Sequence, residues 1–386
     1  MEFYCFHLMP WPHLPPDFCD KHPSAWVTLS NREYDPQPGQ ELYNRYLDEL
    51  EYAEQVGFDG ICVNEHHQTA YGLMPAPNIL AAALARRTSR AKIAILGNAI
   101  PLRDHPLRVA EEVAILDVLT GGRIISGFVR GIGAEYYSFD LDPTVSRERF
   151  VEAHDLIVRA WTEPGPFQHQ GKHYRVRYVN PWPRPLQKPH PPIWLPSTGS
   201  VETLEMAARY GYPFVRVYER AATVKALFDE VRAVYRAFGK ECPPENLGWS
   251  MPVYVSDTDG NAEREASEHV LYLFRQLSHR PFQFIVPPGY SSAASLSRAL
   301  QRAATRRSSA AMSYQDLLET GFITFGSPDT VRRRLLDYQR DMGFGKLVPL
   351  MHFGSLPHDL TVRSMRLFAE EVMPALREAP LAATAS

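Results

Sequence analysis

The chain has 386 residues, 45% hydrophobic and 22% charged, with a formal net charge of -3; this is globular composition with ample material for a core, not a low-complexity chain. No Lys/Arg-rich run favours nucleic acid or an anionic membrane, no stretch approaches the roughly 20 apolar residues of a membrane span, and the N-terminus lacks the basic and long apolar regions of a signal peptide. The four cysteines (Cys5, Cys19, Cys62, Cys242) are scattered without a CxxC pair, as expected of free thiols in a cytoplasmic protein.

Strand and helix patterns alternate along almost the whole chain. Glu2–His7 reads as a first strand, and a Pro-rich loop runs from Met9 to about Gly39. Leu42, Tyr46, Leu50, Ala53 and Val56 recur at helical spacing, with Gly57 as a stop signal before a second strand at Asp59–Asn64. A helix over 77–88 leads to a third strand, Lys92–Gly97. The stripe Val109, Val113, Leu116 and Leu119 leads to a fourth, Arg123–Phe128. After a helix over 146–162 come eight prolines within Glu163–Pro192. Proline lacks an N–H and fixes φ, so this segment is an excursion on the surface, not core helix or central strand. Further strands follow at Ile193–Pro196, Pro213–Val217, Trp249–Ser256 and Lys346–His352, each with a helix behind it. Ser327-Pro328-Asp329 is a helix start: a capping hydroxyl, Pro in the first turn and an acid at the positive dipole end.

Eight strands each followed by a helix predict a (β/α)8 TIM barrel; a doubly wound sheet would want a Gly-rich fingerprint after the first strand, and none is there. The expected organisation is one barrel domain over 1–386 with insertions at about 9–39, 163–192 and 260–312. The last is long enough to serve as a lid over the active face.

In such a barrel the ends of the strands carry the chemistry. Asn64-Glu65-His66-His67 closes the second strand. His66 there reads as a general base or hydrogen-bond donor, against the plainer alternative of a histidine satisfied within a loop. Glu65 is a candidate to orient an imidazole, and His67 stands behind. No metal site is expected: adjacent histidines on extended chain point apart, and no HExxH occurs. Arg130, followed by Gly131, suits a phosphate clamp with close backbone approach, or simply a surface turn. Thr198-Gly199-Ser200 opens a helix, an anion site or a plain cap. Asn98, at the end of the third strand, offers a donor and an acceptor to a heterocycle edge, or stabilises its own turn.

Taken together, Gly57-Phe-Asp-Gly through Glu65-His66-His67, His105-Pro-Leu-Arg-Val-Ala-Glu-Glu112, Leu116-Asp-Val-Leu-Thr-Gly-Gly-Arg123, Arg130-Gly131, the Pro181–Ile193 segment and Gly326-Ser-Pro-Asp-Thr330 resemble the bacterial luciferase-like, flavin-dependent monooxygenase superfamily, from about residue 40 to 375. The resemblance implies a barrel binding reduced FMN at its C-terminal face. His66 matches the family's catalytic histidine, Arg130 the arginine on the FMN phosphate, and Gly199-Ser200 the phosphate turn. Asn98 falls where relatives contact the flavin ring, often beside a non-proline cis peptide. Val129 stands in place of the reactive cysteine of true luciferases, which counts against light emission. Trp11, Phe18 and Trp26 are candidates for the substrate mouth. The implied activity is monooxygenation of a small organic substrate with O2, in a two-component system with a separate NAD(P)H:flavin reductase and a dimeric or tetrameric oxygenase. The alternatives are a deazaflavin-dependent oxidoreductase of the same superfamily, a non-catalytic flavin-binding paralogue and, outside it, a metal-dependent hydrolase.

Overall fold

A computed structural model describes residues 1–293, 295–297 and 309–380. Its strands are β1 (Glu2–Phe6), β2 (Gly60–Val63), β3 (Lys92–Ala99), β4 (Ile124–Val129), β5 (Phe167–Gln170), β6 (Arg175–Val179), β7 (Ile193–Ser197), β8 (Phe214–Val217), β9 (Leu247–Val255), β10 (Thr324–Gly326) and β11 (Lys346–Leu350). Eight of them form a closed parallel barrel in the order β1-β2-β3-β4-β7-β8-β9-β11, with β11 returning to β1. All eight strands expected from the sequence are present, and the fold is the TIM barrel.

Parallel strands covered on both faces read as continuous apolar runs, and all nine residues of β9 are buried. Within β1 the side chains alternate. Phe3 packs outward on Phe368, with ring centroids 5.9 Å apart, while Tyr4 crosses the interior to Trp194 of β7 at 4.7 Å.

The structure departs from the sequence expectation in three places. The helix after β1 spans Pro36–Gln55 and so starts inside the segment read as loop: Asp35 accepts the Gln37 N–H at 2.9 Å, and Pro36 stands in the first turn, where a missing N–H costs nothing. The Pro-rich excursion contains an antiparallel hairpin, β5–β6, in its one proline-free stretch. Gln187 ties the excursion back to the helix Leu107–Thr120, its backbone N–H and side-chain amide meeting the buried Asp117 carboxylate at 2.8 and 2.6 Å. Finally, β10 extends the upper half of β9 where β9 and β11 part; three residues are too few to show a period. In the insertion, Asp259–Tyr272 is helical and continues as a π-turn over Leu273–Leu277, whereas positions 294 and 298–308 of the expected 260–312 segment lie outside the described residues.

The contact between β3 and β4 sets the geometry of the site. Their register shifts between Ile95 and Asn98, and the Leu96–Gly97 peptide is cis. A Cβ on Gly127 would stand 2.1 Å from the Ile95 carbonyl oxygen, and one on Gly97 would stand 2.6 Å from the Gly127 carbonyl carbon. Both contacts are with backbone that cannot swing away. Gly127→Ala is therefore expected to destabilise the protein by about 2–3 kcal/mol, read as a lowered urea midpoint; an unchanged midpoint would contradict this packing.

Candidate active site

Past β2, neighbouring side chains find partners on opposite sides of the chain. Glu65 and His67 take one side. Glu65 Oε1 meets His67 Nε2 at 2.8 Å, while Oε2 accepts the Ala99 N–H at 3.1 Å and Arg103 Nη2 at 2.8 Å. Glu65 thus ties the β2 loop to the end of β3 and does not orient His66.

His66 turns the other way. Its Nδ1 lies 2.9 Å from Glu135 Oε1, and Glu135 Oε2 accepts the Ile132 N–H at 2.7 Å. Glu135 is 1% exposed and sits in the first turn of the short helix Gly133–Ser138, after β4. A carboxylate that accepts on both oxygens assigns the proton of the imidazole to Nδ1. Nε2 then keeps its lone pair, and no described residue bonds to it. Trp26 and Tyr71 present their rings to the imidazole edge-on at 5.3 and 5.2 Å. Of the three aromatics expected at the mouth, Trp26 reaches His66; Trp11 packs on His13 and Tyr34, and Phe18 on His22.

Arg130 follows β4. Its Nη1 donates to Ser146 Oγ at 3.1 Å and to the Tyr290 carbonyl, and its guanidinium lies 3.6 Å from the centre of the Tyr290 ring. The Tyr290 hydroxyl donates to the Gly131 carbonyl, so the insertion reaches this corner. Gly131 has φ +81°, and a Cβ there would meet Glu135 Oε2 at 2.9 Å, so glycine both makes the turn and leaves room for the carboxylate.

A second arginine, Arg147, joins the corner. Its Nη2 donates to Ser200 Oγ at 3.0 Å and lies 3.5 Å from Glu202. Burial, then the positive charge of Arg130, lower the Arg147 pKa. Ser200 Oγ also meets Thr203 Oγ1 at 2.8 Å and does not cap its helix. Gly199 is buried at φ +92°, and Thr198 is exposed at the turn. Two close cations, two hydroxyls and the uncapped start of the helix Val201–Tyr210 therefore share one corner. Asn98 is fully buried beside the β3–β4 shift, and neither its Oδ1 nor its Nδ2 has a partner. It does not stabilise its own turn.

Sequence reasoning brought together Arg130, Gly131, Gly199 and Ser200. It missed Glu135, Arg147 and Thr203. Glu135 has a local signal, an acid at the third position of a helix start, but nothing in the spacing reveals that its other oxygen reaches His66, 69 residues earlier.

Apart from this mouth, His7, Glu49 and His352 bring possible ligand atoms within 4.8 Å of one another. The Met9 N–H donates to His7 Nδ1 at 2.8 Å, so the His7 proton resides on Nε2, which donates to Glu49 Oε2 at 2.9 Å. That tautomer leaves no lone pair on Nε2 for a metal. The group reads as a hydrogen-bonded tie between the barrel and the helix Pro36–Gln55.

The description of luciferase-like monooxygenases matches residues 23–344 as a family model. The chain is 27% identical over 347 residues to the uncharacterised protein y4wF of Sinorhizobium fredii, covering 87% of this chain and 94% of that one. It is 29% identical over 171 residues to the oxygenase component of the flavin-dependent trigonelline monooxygenase of Acinetobacter baylyi, covering 42% of this chain and 46% of that protein. Among solved structures, the monooxygenase RslO1 of Streptomyces bottropensis aligns with a TM-score of 0.72 at 24% identity, over 97% of this chain and 100% of that one. An F420-dependent secondary alcohol dehydrogenase aligns with a TM-score of 0.68 at 16% identity, over 98% and 99%. These two likenesses show the fold alone. Because the family match runs from before β2 to beyond β10, the chain belongs to the luciferase-like monooxygenase family and is an enzyme of the flavin-dependent oxidoreductase kind.

Proposed function

We propose that this chain is the oxygenase component of a two-component monooxygenase that uses reduced FMN and O2 on a small organic substrate, with the whole chain as one catalytic domain. The observation that carries the reading is the pairing of two close cations at one corner, Arg147 bonded to the Ser200 hydroxyl and Arg130 bonded to the neighbouring Ser146 hydroxyl, with Asn98 unmet on the same barrel face. Two adjacent cations without a full set of acidic partners favour a phosphate. Arg130, Arg147, Ser200 and the Thr198-Gly199 turn would hold that phosphate, Gly131 would allow close backbone approach, and Asn98 would meet the donor and acceptor edge of the ring. Reduced flavin, when bound, supplies two electrons to O2, so that one oxygen atom goes to the substrate and the other leaves as water.

The protein's own part is proton handling and exclusion of water. His66 Nε2 takes up or returns a proton at the barrel mouth, while Glu135 holds the Nδ1–H and stabilises the imidazolium that forms. Trp26 and Tyr71 close two sides of the imidazole to solvent. A separate reductase as electron source fits the lack of a nicotinamide fingerprint. The exposed Ile115, Val118 and Leu119 on one helix, with Ile79 on the helix beside it, supply an apolar face suited to self-association. We assign a cytoplasmic location on the four unpaired cysteines; among the described residues no helix is long and apolar enough to cross a membrane. A deazaflavin is the second reading, since it presents a phosphate to the same corner.

FMN and riboflavin differ by that phosphate alone. The wild type is expected to bind FMN far more tightly than riboflavin. Arg130→Ala and Arg147→Ala should each remove about 1.5–3 kcal/mol of that preference, roughly ten- to a hundredfold in Kd, by equilibrium dialysis. Equal affinity of the wild type for the two flavins would sink the assignment. Glu135→Ala should release the His66 proton to exchange between both ring nitrogens, seen as converging imidazole 15N shifts; fixed shifts would contradict the role given to Glu135.

A further inference from the structure

One half-buried cation at the mouth is not used by the phosphate corner. Arg280 follows the π-turn, and its guanidinium lies 4.7 Å from the centre of the Trp26 ring. Trp26 is the same indole that meets His66 at 5.3 Å, so the imidazole and the guanidinium share one aromatic neighbour. The segment bearing Arg280 is pinned. Trp26 Nε1 donates to the Leu277 carbonyl at 2.9 Å, and the Ala25 N–H donates to the His279 carbonyl at 2.8 Å.

The guanidinium is poorly satisfied. Nη1 reaches the Ser278 carbonyl at 3.3 Å, and Nε is sealed from solvent without a partner. No carboxylate among the described residues pairs with it. Glu135, the acid whose charge acts on Arg280, already accepts from His66 and Ile132, and the Tyr71 phenol, pushed up to about 12 by burial, stays neutral. A desolvated cation without a counter-charge is costly, and the forked guanidinium matches a planar carboxylate. Its stacking on an indole leaves the edge of the fork to a ligand.

We propose that Arg280 anchors an anionic group, a carboxylate, on the organic substrate and so turns the reacting end of that substrate toward His66. This rests on the reading of His66 as the reacting corner. The substrate class it selects is an organic acid with an apolar body, which Trp26 and Tyr71 would face.

The test uses the full-length protein, with and without FMN, and paired probes of equal shape: benzoate against benzamide, and hexanoate against hexanamide. Binding is followed by titration calorimetry. The wild type should prefer at least one carboxylate over its amide by about tenfold or more. Arg280→Met should abolish that preference and Arg280→Lys should keep part of it, while FMN affinity stays unchanged in both; a thermal melt of each variant checks that it is folded. If no carboxylate exceeds its amide in the wild type, or if the preference survives Arg280→Met, the proposal is overturned. If Arg280→Met instead loses FMN, Arg280 serves the cofactor and the proposal is likewise overturned. Wild-type protein that keeps the carboxylate preference but binds no FMN would count against the flavin reading and leave Arg280 standing.

Discussion

A single buried carboxylate, that of Glu135, joins the two loops on which the mouth of the barrel depends. One oxygen holds the His66 ring from the end of β2, and the other holds the Ile132 N–H just after β4. Neither oxygen can be left unmet at 1% exposure, because an uncompensated buried charge costs several kcal/mol. The glycine at 131 belongs to the same unit, since any side chain there would strike the carboxylate. Arg130, immediately before that glycine, is presented by the same turn, and the Tyr136 hydroxyl fastens its carbonyl at 2.6 Å. The proton handling proposed for His66 and the anion binding proposed for Arg130 thus depend on one local fold.

The mouth divides into two chemical halves. Around Arg130, Arg147 and Ser200 it is cationic and hydroxyl-rich, suited to a phosphate with its hydration stripped. Around His66 it is aromatic, with Trp26 and Tyr71 against the imidazole and Arg280 over the indole. Asn98 and the β3–β4 shift lie on the same barrel face. A ligand with a phosphate tail and a polar planar ring, and a second with an apolar body and an acidic end, would use these halves without competing.

The barrel was legible because its strands are buried on both faces: β2, β3, β4 and β9 are apolar runs bounded by glycine or proline, and each is followed by a 3.6-residue stripe. Where the period is short or the cue is a single residue, it was not. β10 has three residues, and Pro36 marks a helix start in what reads as a loop. In the site, Arg130, Gly199 and Ser200 stand in recognisable turns directly after strands. Arg147 lies on a helix, where an arginine is ordinarily a solvated face, and only the closed barrel brings it to Ser200. Glu65 orients an imidazole as its position suggests, and the alternation that separates His66 from His67 makes that imidazole His67. Arg280 carries no motif; its meaning depends on which acids fail to reach it.

The central claim is that this mouth takes reduced FMN and directs it to oxygen. Anaerobic titration of the purified protein with reduced FMN, and in parallel with reduced deazaflavin, followed by admission of O2, tests it most directly. The account predicts saturable binding of reduced FMN and oxygen uptake that is altered in His66→Ala relative to the wild type. Saturable binding of reduced deazaflavin alone, with no oxygen uptake, would contradict it.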